Sequence, residues 1–145
     1  MTTPSLLGTW IVLSWEIRST DGTVTHPMGD NPGGVITYDP SGRMAVQLMQ
    51  PDRAHSRSAD PFQATPDEIV AAWMGFISYA GRYEHDPVSR RVVHRVEICS
   101  FPNWVGSSQE RFYVFDGDLL VLSTPPIPLG GASSVSTLVW KPVGS

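Results

Sequence analysis

Apolar and polar residues alternate along most of this chain, in short segments that end at turn sequences. This two-residue period is typical of β-strands with one buried face. Turn signals rich in Asp, Pro, Ser and Gly occupy residues 39–42, 86–89 and 116–118. The polar stretch 50–64 and the proline-rich stretch 124–131 are expected to be loops. The predicted strands cover residues 9–19, 34–38, 43–49, 77–85, 91–101, 110–115, 119–124 and 136–141.

About eight short strands joined by tight turns predict an antiparallel sandwich or barrel. One segment between the strands has a helical period instead. Thr65 is a helix-capping residue, Pro66 suits the first helical position, and Glu68 completes a capping box. We therefore expect one helix over residues 66–76, across a barrel mouth or an outer face. Its apolar residues recur at helical spacing: Ile69, Val70, Trp73, Met74 and Ile77.

Composition is that of an ordinary single-domain globular protein. The chain has 145 residues, of which 41% are hydrophobic and 17% are charged, so one domain over residues 1–145 is expected to hold a core. The net charge of −4 argues against nucleic acid as a partner. The first residues lack the features of a signal peptide, and no apolar run of about 18 residues occurs. We expect a cytoplasmic protein with no membrane contact.

Six sequence motifs follow one another along the chain: LGTW (7–10), GVITYDPSGRM (34–44), YAGRY (79–83), HRVE (94–97), FPNWVG (101–106) and LVW (138–140). Together they resemble the bacterial and fungal lipocalin-like domain family, over residues 6–143. The resemblance implies an all-β fold, an antiparallel up-and-down β-barrel of about eight strands with one short α-helix, around a small-molecule cavity. It implies little about chemistry, because a fold does not fix a function.

Alternation in the hairpin around the turn at 86–89 predicts which residues face the cavity. Arg82 and Glu84 share one strand face. They stand opposite Glu97 and Arg95, and we expect these four to form a solvated ladder of opposite charges, with Cys99 on the same outer face. The other face then becomes the cavity wall. Its residues are Tyr79, Gly81, Tyr83, His85, His94, Val96, Ile98 and Ser100.

Candidate chemistry concentrates on this inner face. His94 beside Tyr83 and His85 is a candidate proton donor and acceptor, because a neutral imidazole can move protons near neutral pH. His94 and Tyr83 are therefore the candidate catalytic residues. The alternative is a hydrogen-bonded wall histidine. Tyr38 and Tyr79 belong to the core or, in the functional interpretation, to an aromatic wall that suits planar phenolic or polyketide-like ligands.

The segment 101–106 is the second candidate site. In a functional interpretation Asn103 and Trp104 lie on the cavity rim, and the amide orients a ligand carbonyl. The alternative interpretation is a bulged or looped connection between strands, since Pro102 stops strand pairing.

The first strand carries a carboxylate whose position depends on which face is internal. Glu16 alternates with Trp10 along the strand, so the two share one face, and Trp10 is expected to plug the barrel floor. An internal Glu16 needs a partner, for which Arg111 or Arg43 is the natural choice.

No metal site and no cofactor are predicted, because the four histidines lack compact ligand spacing and no phosphate-binding loop follows a strand. The partner is expected to be a small apolar or aromatic molecule, and a homodimer through the outer wall stays open. The predicted ligand-binding residues are Tyr38, Tyr79, Tyr83, His85, His94, Val96, Ile98, Asn103, Trp104, Glu16 and Arg111.

Three functions remain open from the sequence. The first is binding of a small, largely apolar, aromatic or polyketide-like molecule of secondary metabolism in the barrel cavity. The second is a cofactor-free isomerase, cyclase or dehydratase, in which His94 exchanges a proton and a tyrosine hydroxyl stabilises an enolate. The third is an interaction domain whose barrel is filled by side chains.

Overall fold

The computed structural model describes residues 4–144, which form ten β-strands, one α-helix and one 3₁₀ turn. The strands are β1 (Gly8–Ser19), β2 (Val24–Thr25), β3 (Gly33–Tyr38), β4 (Arg43–Met49), β5 (Phe76–Asp86), β6 (Arg91–Cys99), β7 (Ser108–Asp116), β8 (Leu119–Ser123), β9 (Ile127–Leu129) and β10 (Ala132–Pro142). The helix is α1 (Pro66–Met74), and the 3₁₀ turn is Pro102–Trp104.

Eight of these strands form a closed antiparallel barrel in the order β1, β3, β4, β5, β6, β7, β8 and β10. Closure comes from β1, which pairs with β3 on one side and with β10 on the other. The predicted barrel with one short helix is confirmed, and the sandwich is excluded. The strands β2 and β9 were not predicted: β2 has two residues, and β9 has three and lies inside the expected proline-rich loop.

The turn between β3 and β4 shows how local sequence fixes the pairing of strands. The Asp39 carboxylate accepts hydrogen bonds from the backbone N–H groups of Ser41 at 2.9 Å and Arg43 at 3.1 Å. Gly42 has a φ of 90°, in the left-handed region that favours glycine. The Asp-Pro-Ser-Gly sequence therefore reverses the direction of the chain at this point, and β4 begins where it was predicted.

A β-bulge in β1 reverses the alternation of inward and outward residues. Leu13 is an extra residue between Val12 and Ser14, which both have partners in β10. As a result Val12 and Trp15 are both buried although they are three residues apart. Glu16 therefore points outward, and the prediction that it shares the inner face is wrong.

A second bulge in β6 has the same effect. Val96 lies opposite Gly81, and Glu97 is the extra residue before the pairing resumes. A Cβ atom on Gly81 would lie 1.9 Å from a backbone oxygen of β6, so the close approach of the two strands requires glycine here. Beyond the bulge Ile98 is 70% exposed and Cys99 packs against the core. The predicted inner position of Ile98 and outer position of Cys99 are both wrong.

The predicted ladder of opposite charges on the outer face of β5 and β6 is confirmed. Arg95 Nε lies 3.0 Å from a carboxylate oxygen of Glu84, and Arg82 Nε lies 3.5 Å from one of Glu97. Arg43 from β4 also pairs with Glu97. All of these side chains are solvent-exposed, so the charges of this hairpin lie outside the barrel.

One end of the barrel is filled by side chains, and we call it the closed half. Trp10 is buried there, and its Nε1 donates a hydrogen bond to the carbonyl of Leu6 at 2.9 Å. Tyr38, Val92 and Leu120 are fully buried around it. The structure therefore places Trp10 at the barrel floor, as predicted.

The helix α1 begins as the sequence predicted. Thr65 Oγ1 accepts from the Glu68 N–H at 3.3 Å, and the Glu68 carboxylate accepts from the Thr65 N–H at 2.9 Å. It ends two residues early, at Met74, because Phe76 already pairs in β5. No residue of α1 is buried. Among residues 4–144 there is no helix whose length and apolarity would suffice to cross a membrane.

Candidate functional site

A cavity of about 70 Å³ lies inside the barrel, between the closed half and the 3₁₀ turn. This volume is several times the roughly 10–15 Å³ that one water molecule requires. We call this part of the barrel the cavity half. Aliphatic and aromatic side chains form most of its lining: Trp15, Ile36, Val46, Leu48, Ile77, Tyr79, Trp104, Leu122, Ile127, Leu129, Leu138 and Trp140. The polar side chains in the lining are His94, Arg111, Thr124 and Ser136.

The hydroxyl groups of Ser136 and Thr124 in the lining are already engaged by the protein. Ser136 Oγ accepts a hydrogen bond from the indole nitrogen of Trp15 at 2.5 Å. Thr124 Oγ1 accepts from the backbone N–H of Ser136 at 3.0 Å. These groups therefore hold β1, β8 and β10 together beside the cavity.

A chain of three polar side chains lies at the bottom of the cavity. The hydroxyls of Tyr38 and Tyr79 lie 2.6 Å from Nε2 and Nδ1 of His94, respectively. His94 is only 1% exposed, so these two tyrosines satisfy both ring nitrogens. In a neutral imidazole one nitrogen donates and the other accepts, which matches two hydroxyl partners.

Burial keeps all three groups of this chain uncharged. It lowers the pKa of His94 to about 3, and the positive charge of Arg111 adds to the effect. Burial also raises the pKa of Tyr79, against an opposing effect of Arg111, and raises the pKa of Tyr38 well above its usual value. At neutral pH the chain Tyr38–His94–Tyr79 therefore carries no charge.

The guanidinium group of Arg111 is the charged group of the cavity wall. Arg111 lies on β7, is 8% exposed and lines the cavity. Its Nη1 donates to the carbonyl of Glu110 at 2.8 Å. Within residues 4–144 no carboxylate lies within salt-bridge distance of it. Because buried charges are nearly always paired, this lone cation is unusual.

A second donor in the lining also lacks a partner. Trp140 on β10 is 1% exposed, and its indole Nε1 has no hydrogen-bond partner among the described residues. A buried donor without an acceptor costs free energy. The indole rings of Trp10 and Trp15, in contrast, both donate within the protein.

The structure brings five of the predicted ligand-binding residues together. Tyr79, His94, Trp104 and Arg111 line the cavity. Tyr38 lies behind His94 and bonds to it. The positions of Tyr79 and His94 agree with the inner face that alternation predicted on β5 and β6, and the role of all five residues in binding stays a prediction.

Tyr83 and His85 lie away from the cavity, toward the closed half. Tyr83 stands opposite His94 in the strand register, but its hydroxyl donates to the carbonyl of Asp39 at 2.9 Å and its ring packs edge-on against Tyr38. His85 is exposed at the end of β5. The expected meeting of these two side chains with His94 at the cavity is wrong, because the turn after β3 holds Tyr83.

Four further predicted residues do not line the cavity. Val96 is buried in the wall beside the bulge, and Ile98 lies on the outer surface. Asn103 is exposed, because consecutive side chains of a 3₁₀ turn point about 120° apart and Trp104 takes the inward direction. Glu16 pairs with Arg18 at 3.2 Å outside the barrel, and not with an internal arginine.

The lining residues that the sequence did not suggest come from β3, β4, β5, β8, β9, β10 and the second half of β1, and from Thr124 just after β8. Ser136, Leu138 and Trp140 recur at every second position, so the alternation that predicted β10 already contained this face. Alternation along β1 did not predict an inward position for Trp15, because the bulge at Leu13 shifts the inner face by one residue.

Two comparisons bear on this geometry. A family model described as a lipocalin-like domain matches residues 7–143. A protein of Aspergillus oryzae (strain ATCC 42149 / RIB 40), named 4'-hydroxy-3'-methoxypropiophenone carrier protein ppsC, is 33% identical over 105 residues. The matched region covers 68% of this chain and 95% of that protein.

Proposed function

Because the chain belongs to the lipocalin-like domain family, as its motifs indicated, we propose that the barrel binds and carries a small, largely apolar molecule in its cavity. The observation that carries this proposal is the mostly apolar lining of the pocket inside the barrel. Ligand pockets typically combine such a lining with a few placed polar groups. Here the polar groups are His94, Arg111 and the indole N–H of Trp140.

The finer proposal is that the ligand contains an aromatic ring. The Aspergillus relative is named for a carrier role toward 4'-hydroxy-3'-methoxypropiophenone, a benzene ring with hydroxyl, methoxy and propanoyl groups. In this chain Trp15, Tyr79 and Trp104 line the cavity. Aromatic side chains supply a large contact area for a planar ligand, so they suit a ring of this kind.

Calorimetric titration of the purified protein with 4'-hydroxy-3'-methoxypropiophenone tests the proposal. We expect saturable binding to one site, and native mass spectrometry should show one ligand per chain. The same spectra of protein taken directly from the expression host reveal any small molecule that purifies with it. Absence of saturable binding, together with a chain mass free of any bound molecule, would refute the carrier function.

A matched pair of tryptophan substitutions then locates the site. Leu122→Trp adds a ring inside the cavity, whereas Val114→Trp adds the same ring on the exposed face of the neighbouring strand. We expect Leu122→Trp to lower the affinity at least about tenfold and Val114→Trp to leave it unchanged. Thermal unfolding of both variants checks that the barrel is folded. Equal affinities would show that the ligand binds elsewhere.

The second candidate function is cofactor-free proton transfer, as in an isomerase, cyclase or dehydratase. The observation that favours it is the hydrogen-bonded chain Tyr38–His94–Tyr79, which reaches the cavity at Tyr79. A neutral imidazole between two hydroxyls can accept a proton from one side and donate one to the other. With a pKa of about 3, His94 is a weak base, so the tyrosine hydroxyl would be the group that meets a substrate.

Exchange of hydrogen for deuterium in the ligand distinguishes catalysed proton transfer from ligand binding without catalysis. The carbon next to the ketone of 4'-hydroxy-3'-methoxypropiophenone loses a proton to form an enolate and regains deuterium from heavy water. A catalyst accelerates this exchange, and Tyr79→Phe and His94→Gln should abolish the acceleration. A carrier binds the ketone without changing the exchange rate measured by NMR.

Three predictions from the sequence complete the proposal. We propose a cytoplasmic location and a role in secondary metabolism, and we keep a homodimer through the outer wall as the open alternative to a monomer. Light scattering of the eluting protein measures the oligomeric state directly.

A further inference from the structure

Arg111 is a buried cation that the protein itself does not neutralise. Its guanidinium group has five N–H donors. One of them donates to the backbone carbonyl of Glu110, and the side chain also interacts with the neutral hydroxyl of Tyr79, whose pKa it lowers. An arginine in an apolar cavity costs free energy unless a carboxylate or another anion accompanies it. The position therefore calls for an anion.

The chain has carboxylates close by along the sequence, yet it places them outside the barrel. Glu110, the residue before Arg111, pairs with Arg91 at 3.2 Å on the outer face. Glu16, the candidate partner from the sequence, pairs with Arg18 because the bulge in β1 turns it outward. The acidic side chains of the outer wall thus cannot serve as the counter-ion of Arg111.

The other titratable groups that face the cavity do not supply a negative charge either. His94 is neutral, and Tyr79 keeps its proton because burial raises the pKa of its hydroxyl. Thr124 and Ser136 contribute hydroxyls that already accept hydrogen bonds from the protein. The cavity therefore holds one uncompensated positive charge.

Trp140 adds a second, independent observation. Trp140 lines the same cavity, and its fully buried indole N–H has no acceptor among the described residues. The lining thus contains one cation without a carboxylate partner and one indole N–H without an acceptor. A ligand that fits this arrangement supplies oxygen acceptors, and an oxygen with a negative charge fits best, since hydrogen bonds to charged groups are stronger.

We propose that Arg111 and Trp140 form an oxyanion-binding site, so that the cavity takes an aromatic ligand with an acidic hydroxyl as its phenolate and not as the neutral phenol. This inference rests on the proposed carrier function and specifies the ligand class. On binding, the O–H bond of the phenol breaks, its proton passes to the solvent, and the electron pair stays on the oxygen beside the guanidinium group.

A pair of ligands tests the inference. The first is 4'-hydroxy-3'-methoxypropiophenone, whose phenolate absorbs at longer wavelength than the phenol because the charge is conjugated with the acyl group. The second is 3',4'-dimethoxypropiophenone, which has no acidic proton. Spectra are recorded about one pH unit below the ionisation midpoint of the free phenol. We expect the bound phenol to show the phenolate band and a midpoint lowered by at least about one pH unit.

Calorimetry adds a measurement that does not depend on the spectrum. If binding releases a proton, the heat of binding of the phenol changes with the ionisation enthalpy of the buffer, and that of the dimethoxy ligand does not. We also expect the dimethoxy ligand to bind at least about tenfold more weakly.

Two matched variants assign the effect to Arg111. Arg111→Met removes the buried charge and should abolish both the phenolate band and the proton release. Arg91→Met removes an arginine on the exterior of β6, where it pairs with Glu110, and should leave both unchanged. Circular dichroism confirms that each variant is folded.

The outcomes separate the inference from the carrier function. If the wild type binds both ligands equally and the phenol stays neutral, the oxyanion site is refuted and the carrier function stands. If Arg111→Met retains the phenolate band, Arg111 is not the counter-ion, and the inference is again refuted. If neither ligand binds, the carrier proposal for this ligand class fails and the inference fails with it.

Discussion

The closed half and the cavity half of the barrel are built from the same strands, but they differ in whether their buried polar groups have partners within the protein. In the closed half the indole N–H of Trp10 and the hydroxyl of Tyr83 donate to backbone carbonyls, and the space between side chains is filled. In the cavity half, Arg111 has no carboxylate partner among the described residues, and the indole N–H of Trp140 has no acceptor. The comparison teaches that the polar groups of the closed half are satisfied within the protein, whereas two groups beside the cavity are not fully paired.

His94 marks the boundary between the two halves. It belongs to the lining, yet its ring nitrogens are both satisfied, as in the closed half. Arg111 lies on the wall nearby and keeps its charge without a counter-ion. The two buried basic residues therefore differ in their partners: both ring nitrogens of the histidine are satisfied by hydroxyl groups, and the arginine has no carboxylate partner among the described residues.

The largest expected effect comes from a matched pair of leucines on β8. Leu120 is fully buried in the closed half, and Leu122 lines the cavity. Leu120→Ala should lower the free energy of unfolding by about 3–5 kcal/mol, because it creates a new void. Leu122→Ala enlarges an existing space and should cost about 2 kcal/mol. Denaturant unfolding of both variants measures the difference, and equal losses would contradict the division into halves.

Acid should destabilise the protein through His94. The pKa of the folded state is about 3, below the unfolded value of 6.5. The contribution of the neutral imidazole is therefore complete above pH 6.5 and is lost as the pH falls toward 3. Well below pH 6.5 the slope approaches ~1.4 kcal/mol per pH unit.

The control for this prediction is His94→Gln, which cannot take up a proton. Its free energy of unfolding should change less between pH 6.5 and 4.5, a range above the titration of most carboxylates. Urea unfolding at a series of pH values gives both curves. Parallel curves would mean that another group is responsible.

Removal of the unpaired charge should leave the empty protein as stable or more stable. Arg111→Met replaces a buried cation by an apolar side chain of similar length, so the free energy of unfolding should stay constant or rise by about 1 kcal/mol. A loss of several kcal/mol on denaturant unfolding would show that Arg111 supports the fold and would remove the contrast between the halves.

The smallest effect is expected on the outer wall, which both halves share. Ile98→Thr should change the free energy of unfolding by less than about 0.5 kcal/mol, because the bulge at Glu97 puts Ile98 in solvent. Val96→Thr, two residues earlier and buried, should cost about 1–2 kcal/mol. Thermal unfolding compares the two. A larger loss of stability for Ile98→Thr than for Val96→Thr would show that the bulge is not at Glu97.

The strands, the turns and the capped helix were predictable because their signals are local. Alternation identified the barrel strands, and the turn at Asp39 fixed the start of β4 at Arg43. The short strands β2 and β9 were not predicted, because segments of two or three residues are too short to show the alternation of a β-strand. Local chemistry therefore accounts for most of the fold.

The candidate site was predictable only as far as the alternation stayed unbroken. Tyr79 and His94 were placed correctly on the inner side. Glu16 and Ile98 were not, because each lies beyond a bulge that pairing with a distant strand decides. The isolation of Arg111 follows from the same cause: the sequence offered Glu16 as its partner, and the bulge in β1 turned that carboxylate outward.

The pairing of β1 with β10 also limits aggregation between copies of the protein. A sheet that closes on itself offers no long row of free backbone N–H and C=O groups along which another chain could add a strand. In the described part of the chain, the strands left at an edge are β2 and β9, of two and three residues, and Pro128 in β9 has no N–H to donate. Strand-to-strand aggregation therefore has little backbone to start from, even when the barrel is concentrated.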